Sequence, residues 1–337
     1  MKPLVSILIP AYNAEPWIAD TIKSVLRQDW PRKEIIVVDD GSKDKTFAVA
    51  QQFAGTNITV VTQKNAGAAA ARNKAFSLCQ GNYIQWLDAD DLIGSGKISK
   101  QMAEAERVND PGALFSSAWG RFMFRPHRAQ FENTPLCADQ QPVDWLLRKM
   151  GQNLHMQPAT WLVSRALTLA AGPWDTRLSL DDDGEYFCRV LLASNGVRFV
   201  PGVKTYYRQT GSGSLSVVDH SDKKLESLWL SMRLHVGYLR SLEDSARTRA
   251  VCVTYLGNWL GYFEPARPDL IAQVQQLATS LGGKVELPAV RPKYAVVEKL
   301  FGRSAVNRAQ VFLPNVKASL ARSWDKAMLR VEGSREI

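Results

Sequence analysis

Four short apolar runs fill the first 90 residues, each ending in polar residues and separated by stretches with helical spacing. The first run, Val5-Ser6-Ile7-Leu8-Ile9, is ended by Pro10. From Trp17 to Gln28 the apolar residues fall at 18, 22, 25 and 26, the repeat of one helix face, with Pro16 tolerated in the first turn. Glu34-Ile35-Ile36-Val37-Val38 is apolar almost throughout, as a strand covered on both faces of a parallel sheet must be. A helix over Asp44 to Phe53, capped by Ser42, is expected next. Ile58-Thr59-Val60-Val61 is the third run. An alanine-rich helix from Ala68 to Leu78 follows, with Gly81 just past its end, and Tyr83-Ile84-Gln85-Trp86-Leu87 is the fourth run. This strand–helix alternation predicts an α/β fold with a doubly wound, mostly parallel sheet.

Sheets of this kind bind ligands outside the carboxyl ends of their strands. Polar residues gather there: Tyr12 and Asn13 after the first strand, Asp39 and Asp40 after the second, Asp88, Asp90 and Asp91 after the fourth. Asp88-Ala89-Asp90 is the strongest single feature, because neighbouring carboxylates hold a hard divalent cation such as Mg2+ or Mn2+ that bridges to substrate phosphates. The pattern is common by chance; its place at the end of an apolar strand gives it weight. Asp39 offers an acceptor for a base N–H, while Asp40, Gly41 and Ser42 suit a turn. Arg72, on the helix after Gly67, presents forked donors to phosphate, with an ordinary surface arginine as the plain alternative. Asp181-Asp182-Asp183-Gly184-Glu185 opens another helical segment. Acidic residues there complement the helix dipole, and their crowding also raises their pKa values, as a general base requires.

Beyond residue 95 the pattern loosens. Helices are expected over 96–107, 143–150 and 183–193, two short strands within 113–124, and further strands at 197–200 and 203–207. Gly211-Ser212-Gly213-Ser214 reads as a flexible loop closing this region. From about 222 the chain reads as successive helices broken at Pro265, Pro268, Pro288, Pro292 and Pro314, with Trp229, Trp259, Tyr262 and Phe263 packing a helical core.

The four cysteines form no C-x-x-C pair, and His127, His155, His220 and His235 have no metal spacing; a zinc site is not expected and a reducing, cytoplasmic compartment is. No run of about 18 apolar residues occurs, so no membrane span is expected. The net charge of +9 is uneven, with about +3 in residues 1–214 and about +6 in residues 284–337. A nucleic-acid binder is basic more uniformly. A basic tail that mixes Lys and Arg with Val, Leu and Phe, from Lys293 to Arg330, suits peripheral contact with the inner face of a membrane carrying a lipid-linked acceptor; a solvated helical face is the plain alternative.

Taken together, Val5–Asn13 (VSILIPAYN), Ile35–Thr46 (IIVVDDGSKDKT), Asn65–Asn73 (NAGAAAARN), Tyr83–Asp91 (YIQWLDADD), Asp182–Arg189 (DDGEYFCR) and Tyr207–Ser216 (YRQTGSGSLS) resemble the family 2 glycosyltransferases of the GT-A fold, over about residues 3–216. The resemblance implies a catalytic domain at 1–216, with a nucleotide-binding half to about 95 and an acceptor half after it, followed by a mainly helical basic region at 217–337. It implies that Pro10, Ala11, Tyr12 and Asn13 line a nucleotide pocket, that Asp39 bonds the base, commonly uracil, and that Arg72 and Asp88 approach the nucleotide. It further implies that Asp90, with Asp88, binds the metal, and that Asp183 is the base in a single inverting displacement from a nucleotide diphosphate sugar to a hydroxyl of a glycan or lipid-linked acceptor.

Three departures stand out. Asp182-Asp183 replaces the family's usual Glu-Asp, which leaves the register between the two open. Thr210 stands near the family's common histidine. The motif associated with processive polymerisation is absent, which favours transfer of a single sugar. Two other readings are weaker: a non-catalytic nucleotide-sugar binder would need no Asp183, and a sugar nucleotidyltransferase usually has a Gly-rich basic loop where this chain has Pro10-Ala11-Tyr12-Asn13.

Overall fold

The computed structural model describes residues 1–211, 221–287 and 317–333, together with Lys299. In chain order the first half comprises β1 (Val5–Ala11), α1 (Ile18–Leu26), β2 (Lys33–Asp39), α2 (Thr46–Gln51), β3 (Ile58–Thr62), α3 (Ala68–Leu78), β4 (Tyr83–Trp86), β5 (Leu92–Ile93) and α4 (Lys97–Val108). There follow β6 (Ala113–Phe122), β7 (Gln130–Phe131), α5 (Pro142–Gly151), β8 (Val163–Ser164), α6 (Arg165–Ala171), α7 (Asp182–Ala193) and β9 (Gly196–Arg208). Three more helices, α8 (Asp222–Leu242), α9 (Ala246–Leu260) and α10 (Pro268–Ser280), come next, and residues 317–332 form a further helix.

The main sheet has the order β3-β2-β1-β4-β8. β1 lies between β2 and β4, parallel to both, and every one of its residues is buried. That double burial is why its sequence is apolar rather than alternating. The register sets Ala11 opposite Asp39, so the ends of β1 and β2 meet at one edge. β8 closes the sheet antiparallel to β4. A second sheet, β5-β9-β6-β7, carries the long parallel pair β6 and β9.

The alternation to Trp86 agrees with the sequence reading; four details differ. Ser42 does not cap α2: its hydroxyl accepts the Asn13 N–H at 2.9 Å, while Asp44 takes the Thr46 N–H at 2.9 Å. Gly81 is a close-packing residue rather than a helix cap, since a Cβ there would lie 2.3 Å from the Ser6 hydroxyl. The two strands expected in 113–124 are one strand, β6. The strands at 197–200 and 203–207 are also one, β9; pairing passes from Ser116–Phe199 to Ala118–Lys204, so the stretch holding Pro201 and Gly202 bulges and breaks the pattern. The short elements β8 and α6 were not anticipated. Ser212 to Ser214, His220, Pro288, Pro292 and Pro314 lie outside the described residues.

One apolar cluster runs from Leu8 and Trp86 in the sheet through Trp145 and Phe187 to Leu228, Met232, Leu256, Phe263 and Val274 in the later helices. The helices after residue 221 therefore share a core with the sheet. Among the described residues no helix is long and apolar enough to cross a membrane.

Candidate active site

The carboxyl ends of β1, β2 and β4 form the floor of the site. Asp39 is buried; its Oδ2 accepts from the Thr62 hydroxyl at 2.9 Å and the Ser42 N–H at 3.3 Å, while its Oδ1 has no partner. An unpartnered buried carboxylate oxygen is costly unless a ligand donor meets it. Asp40 has no such freedom: its carboxylate takes the Gln63 amide and the N–H groups of Ala66 and Gly67, and so shapes the loop before α3. Gly41, at φ +71°, lets that loop approach, since a Cβ there would meet the Asn65 nitrogen at 2.9 Å. Pro10 and Ala11 are buried at the end of β1 and Tyr12 is exposed. Asn13 gives its side-chain oxygen to the Lys43 N–H at 2.9 Å, which ties the ends of β1 and β2 together and leaves that oxygen engaged.

Asp88 to Asp91 form a turn closed by an Asp91 N–H to Asp88 carbonyl bond of 3.1 Å, pinned from α1 by the Thr21 hydroxyl on the Ala89 carbonyl at 2.8 Å. Arg72, buried on α3, joins this turn to α7: Nη2 meets Asp88 Oδ1 at 2.8 Å and Nη1 meets Asp182 Oδ2 at 2.7 Å. Its guanidinium lies 4.3 Å from the Trp174 ring centroid, and Trp174 stacks on Tyr186 at 4.0 Å. Burial works against the charge, but Asp88 and Asp182 outweigh it and hold Arg72 protonated.

Asp183 is left with only the Gly184 N–H, at 2.8 Å. Burial first and the Asp181 carboxylate second raise the Asp183 pKa to about 6, against the pull of Arg72. Asp182 is likewise raised to about 6, chiefly by burial. Asp181 sits in the left-handed region at φ 58°, and a Cβ on residue 184 would come 2.0 Å from its Oδ1, so a larger residue in place of Gly184 would displace that carboxylate. One face of α8 grips the turn. Ser227 takes the Ser179 and Leu180 N–H groups at 2.8 and 3.0 Å, the Ser231 hydroxyl donates to Asp181, and His235 lies 3.6 Å from the same carboxylate. Burial lowers the His235 pKa, but the Cys188 sulfur and the Asp181 carboxylate raise it further, to about 9.

Two residues of the site, Arg208 and Gln157, escaped the sequence reading. Arg208 is buried between Trp17 and Phe122 and donates from Nε to the Asp90 carbonyl at 2.7 Å. Its N–H also bonds Asp91 at 2.8 Å, and the Gln157 amide takes the other Asp91 oxygen. Arg208 lies in the YRQTGS motif, which was the available signal; Gln157 had none.

Asp90 has a pKa raised to about 6, by burial first and by Asp88 second, and it is hydrogen-bonded by the Thr210 side chain. Asp88 and Asp90 thus offer hard oxygen donors crowded together with like charge, a donor set that fits Mg2+ or Mn2+ completed by ligand oxygens. Asp91 is already engaged, and no cluster of three or more ligand residues occurs among the described residues.

Residues 6–141 match the model described as Glycosyl transferase family 2. Over that segment, about two fifths of the chain, the sequence is that of a family 2 glycosyl transferase. The chain is 45% identical over 104 residues to TuaG of Bacillus subtilis, named for teichuronic acid biosynthesis, across 30% of this chain and 41% of the relative. It is 41% identical over 101 residues to WfgD of Escherichia coli, a UDP-Glc:alpha-D-GlcNAc-diphosphoundecaprenol beta-1,3-glucosyltransferase, across 30% and 40%. The chain therefore spans about two fifths of the length of these relatives. A longer match, 27% identical across 63% of this chain and 73% of the relative, is to the glycosyltransferase GlyG of Streptococcus pneumoniae. Among solved structures, S. aureus TarS 1-349 in complex with UDP-GlcNAc superposes with a TM-score of 0.64 at 18% identity, covering 82% of this chain and 80% of that one. The fold over that stretch is the GT-A fold of that structure.

Proposed function

We propose that the protein is an inverting glycosyltransferase that moves one sugar from a nucleotide diphosphate sugar to a hydroxyl of a glycan or lipid-linked acceptor. The observation that carries this reading is the Arg72 bridge: it engages Asp88 and Asp182 directly and leaves Asp183, in the same acidic turn, near its charge but outside the salt bridge. Asp39 reads the base through its unpartnered oxygen, with Pro10, Ala11, Tyr12 and Asn13 shaping the pocket around it. A uridine nucleotide is the donor this favours, in line with the UDP-linked donors named for WfgD and for the TarS complex.

In the transfer step Asp183 accepts the proton of the acceptor hydroxyl. The freed oxygen pair forms the new bond to the anomeric carbon as the bond to the diphosphate oxygen breaks on the opposite side. The leaving electrons reside on the diphosphate, and Arg72 faces that charge with its fork of donors. Asp88 and Asp90 would hold the divalent cation, which supplies positive charge to the diphosphate when bound. Asp182 acts by holding Arg72 in place.

A lipid-linked acceptor, as WfgD's name specifies for that enzyme, calls for work at the cytoplasmic face of a membrane. Calorimetric titration of UDP, GDP and dTDP, with and without Mn2+, tests the donor reading. One nucleotide should bind in a Mn2+-dependent manner to the wild type and weaken at least about tenfold in Asp90→Ala. Binding of none of the three would refute it.

A further inference from the structure

The helix at 317–332 has two contrasting faces. Its inner face docks on the segment after β6. Asp325 accepts the N–H groups of Phe124 and Arg125 at 2.8 and 3.2 Å and the Arg125 Nε at 2.7 Å. Glu332 meets Arg125 Nη1 at 2.6 Å and His127 Nε2 at 3.0 Å. Arg322 donates to the Gln209 carbonyl, one residue before Thr210 at the Asp90 carboxylate. Phe124 receives Arg322 on its ring and packs against Trp17 at 5.6 Å. The helix is thus seated at the mouth of the donor site.

The outer face is the reverse in character. Leu320, Trp324 and Val331 are 68%, 67% and 79% exposed. At about 100° per residue these three fall within about 40° of one another around the helix. Lys317 and Arg330 are also exposed and flank the strip, whereas Lys326 lies over the Phe124 ring and both acidic residues of the helix are spent on that inner face. An apolar strip with an aromatic residue, bordered by Lys and Arg and cleared of carboxylates, has the chemistry of an interfacial membrane helix. Each basic residue near an anionic leaflet adds to the attraction, and the contacts of Asp325 and Glu332 with Arg125 and His127 hold the strip outward.

We propose that this face binds an anionic lipid surface and so seats the donor-site mouth at the membrane. Its purpose rests on the lipid-linked acceptor read above; the binding itself does not.

The test uses the full chain and flotation with vesicles of phosphatidylcholine alone or mixed with phosphatidylglycerol. The wild type should float with the anionic vesicles at least about tenfold more than with the neutral ones, and less as salt rises. Leu320→Ser/Trp324→Ser/Val331→Ser should lose flotation yet keep the nucleotide affinity of the wild type, which shows that it folds. Trp324→Ala alone should weaken flotation in part. Equal flotation of the triple variant, or none by the wild type, would overturn the proposal. So would a concentration-dependent dimer abolished by the triple variant without any vesicle binding, which assigns the face to a second copy. Flotation that persists where no nucleotide binds would sink the transferase reading and leave this one standing.

Discussion

Asp182 and Asp183 are neighbours with the same side chain and similar burial but different partners. Asp182 is committed to Arg72, whereas Asp183 holds only the N–H of the next residue. In the role of base proposed for it, Asp183 must be unprotonated, and its raised pKa means it keeps its proton up to about pH 6. Transferase kcat/KM should therefore climb with pH and level off above about 6, falling about tenfold per unit below it. In Asp183→Asn the loss should be about 100- to 10,000-fold with nucleotide affinity retained, measured by initial rates and calorimetry. Near-wild-type turnover would remove Asp183 from the role. The sequence alone left the register between these two residues open. What separates them is a contact to a side chain 110 positions earlier, which no local pattern encodes. Asp39 and Asp88 were legible because each lies at the end of its own apolar strand. Arg208 and Gln157 were not, since their importance comes only from reaching Asp90 and Asp91 across the fold.

At the scale of elements, α7 depends on α8. Ser227, Ser231 and His235 recur every four residues along α8 and hold the turn that begins α7. The sequence disclosed α8 as a helix but not this polar stripe, because its partners lie in an irregular segment with no periodicity of its own. His235 has a folded pKa of about 9, above its ordinary value. Its charged form thus adds stability in full below about pH 6.5, and that contribution fades as pH rises through about 9. Thermal melts should show wild type and His235→Gln differing most near pH 6 and converging near pH 10. Turnover in His235→Gln should fall more than nucleotide affinity, because the turn it holds carries Asp183. A constant gap in Tm across that range would contradict the assignment.

For the whole molecule, the relevant fact is the single apolar cluster that joins Leu8 to Val274. The composition and helical spacing indicated helices after residue 222, and the motifs set a catalytic boundary near 216. Neither indicates whose core those helices complete, because shared burial is a long-range property. A chain cut after residue 216 would expose the faces of α5 and α7 that pack against α8 and α9. It should be insoluble or molten, and the intact protein should unfold in one cooperative transition. A soluble 1–216 fragment with native-like near-UV circular dichroism would show instead two independent units.

The Arg72 fork also bears on time rather than place. In the proposed site, a guanidinium already divided between Asp88 and Asp182 must be partly reassigned when a diphosphate arrives. That reassignment weakens its hold on Asp182 and alters the charge beside Asp183 before any acceptor is engaged. The expected consequence is a compulsory sequence of arrival, nucleotide sugar first. Initial-rate studies should then find the free nucleotide competitive against the donor and noncompetitive against the acceptor. Asp182→Asn, which leaves Arg72 with one carboxylate, should loosen that sequence toward random.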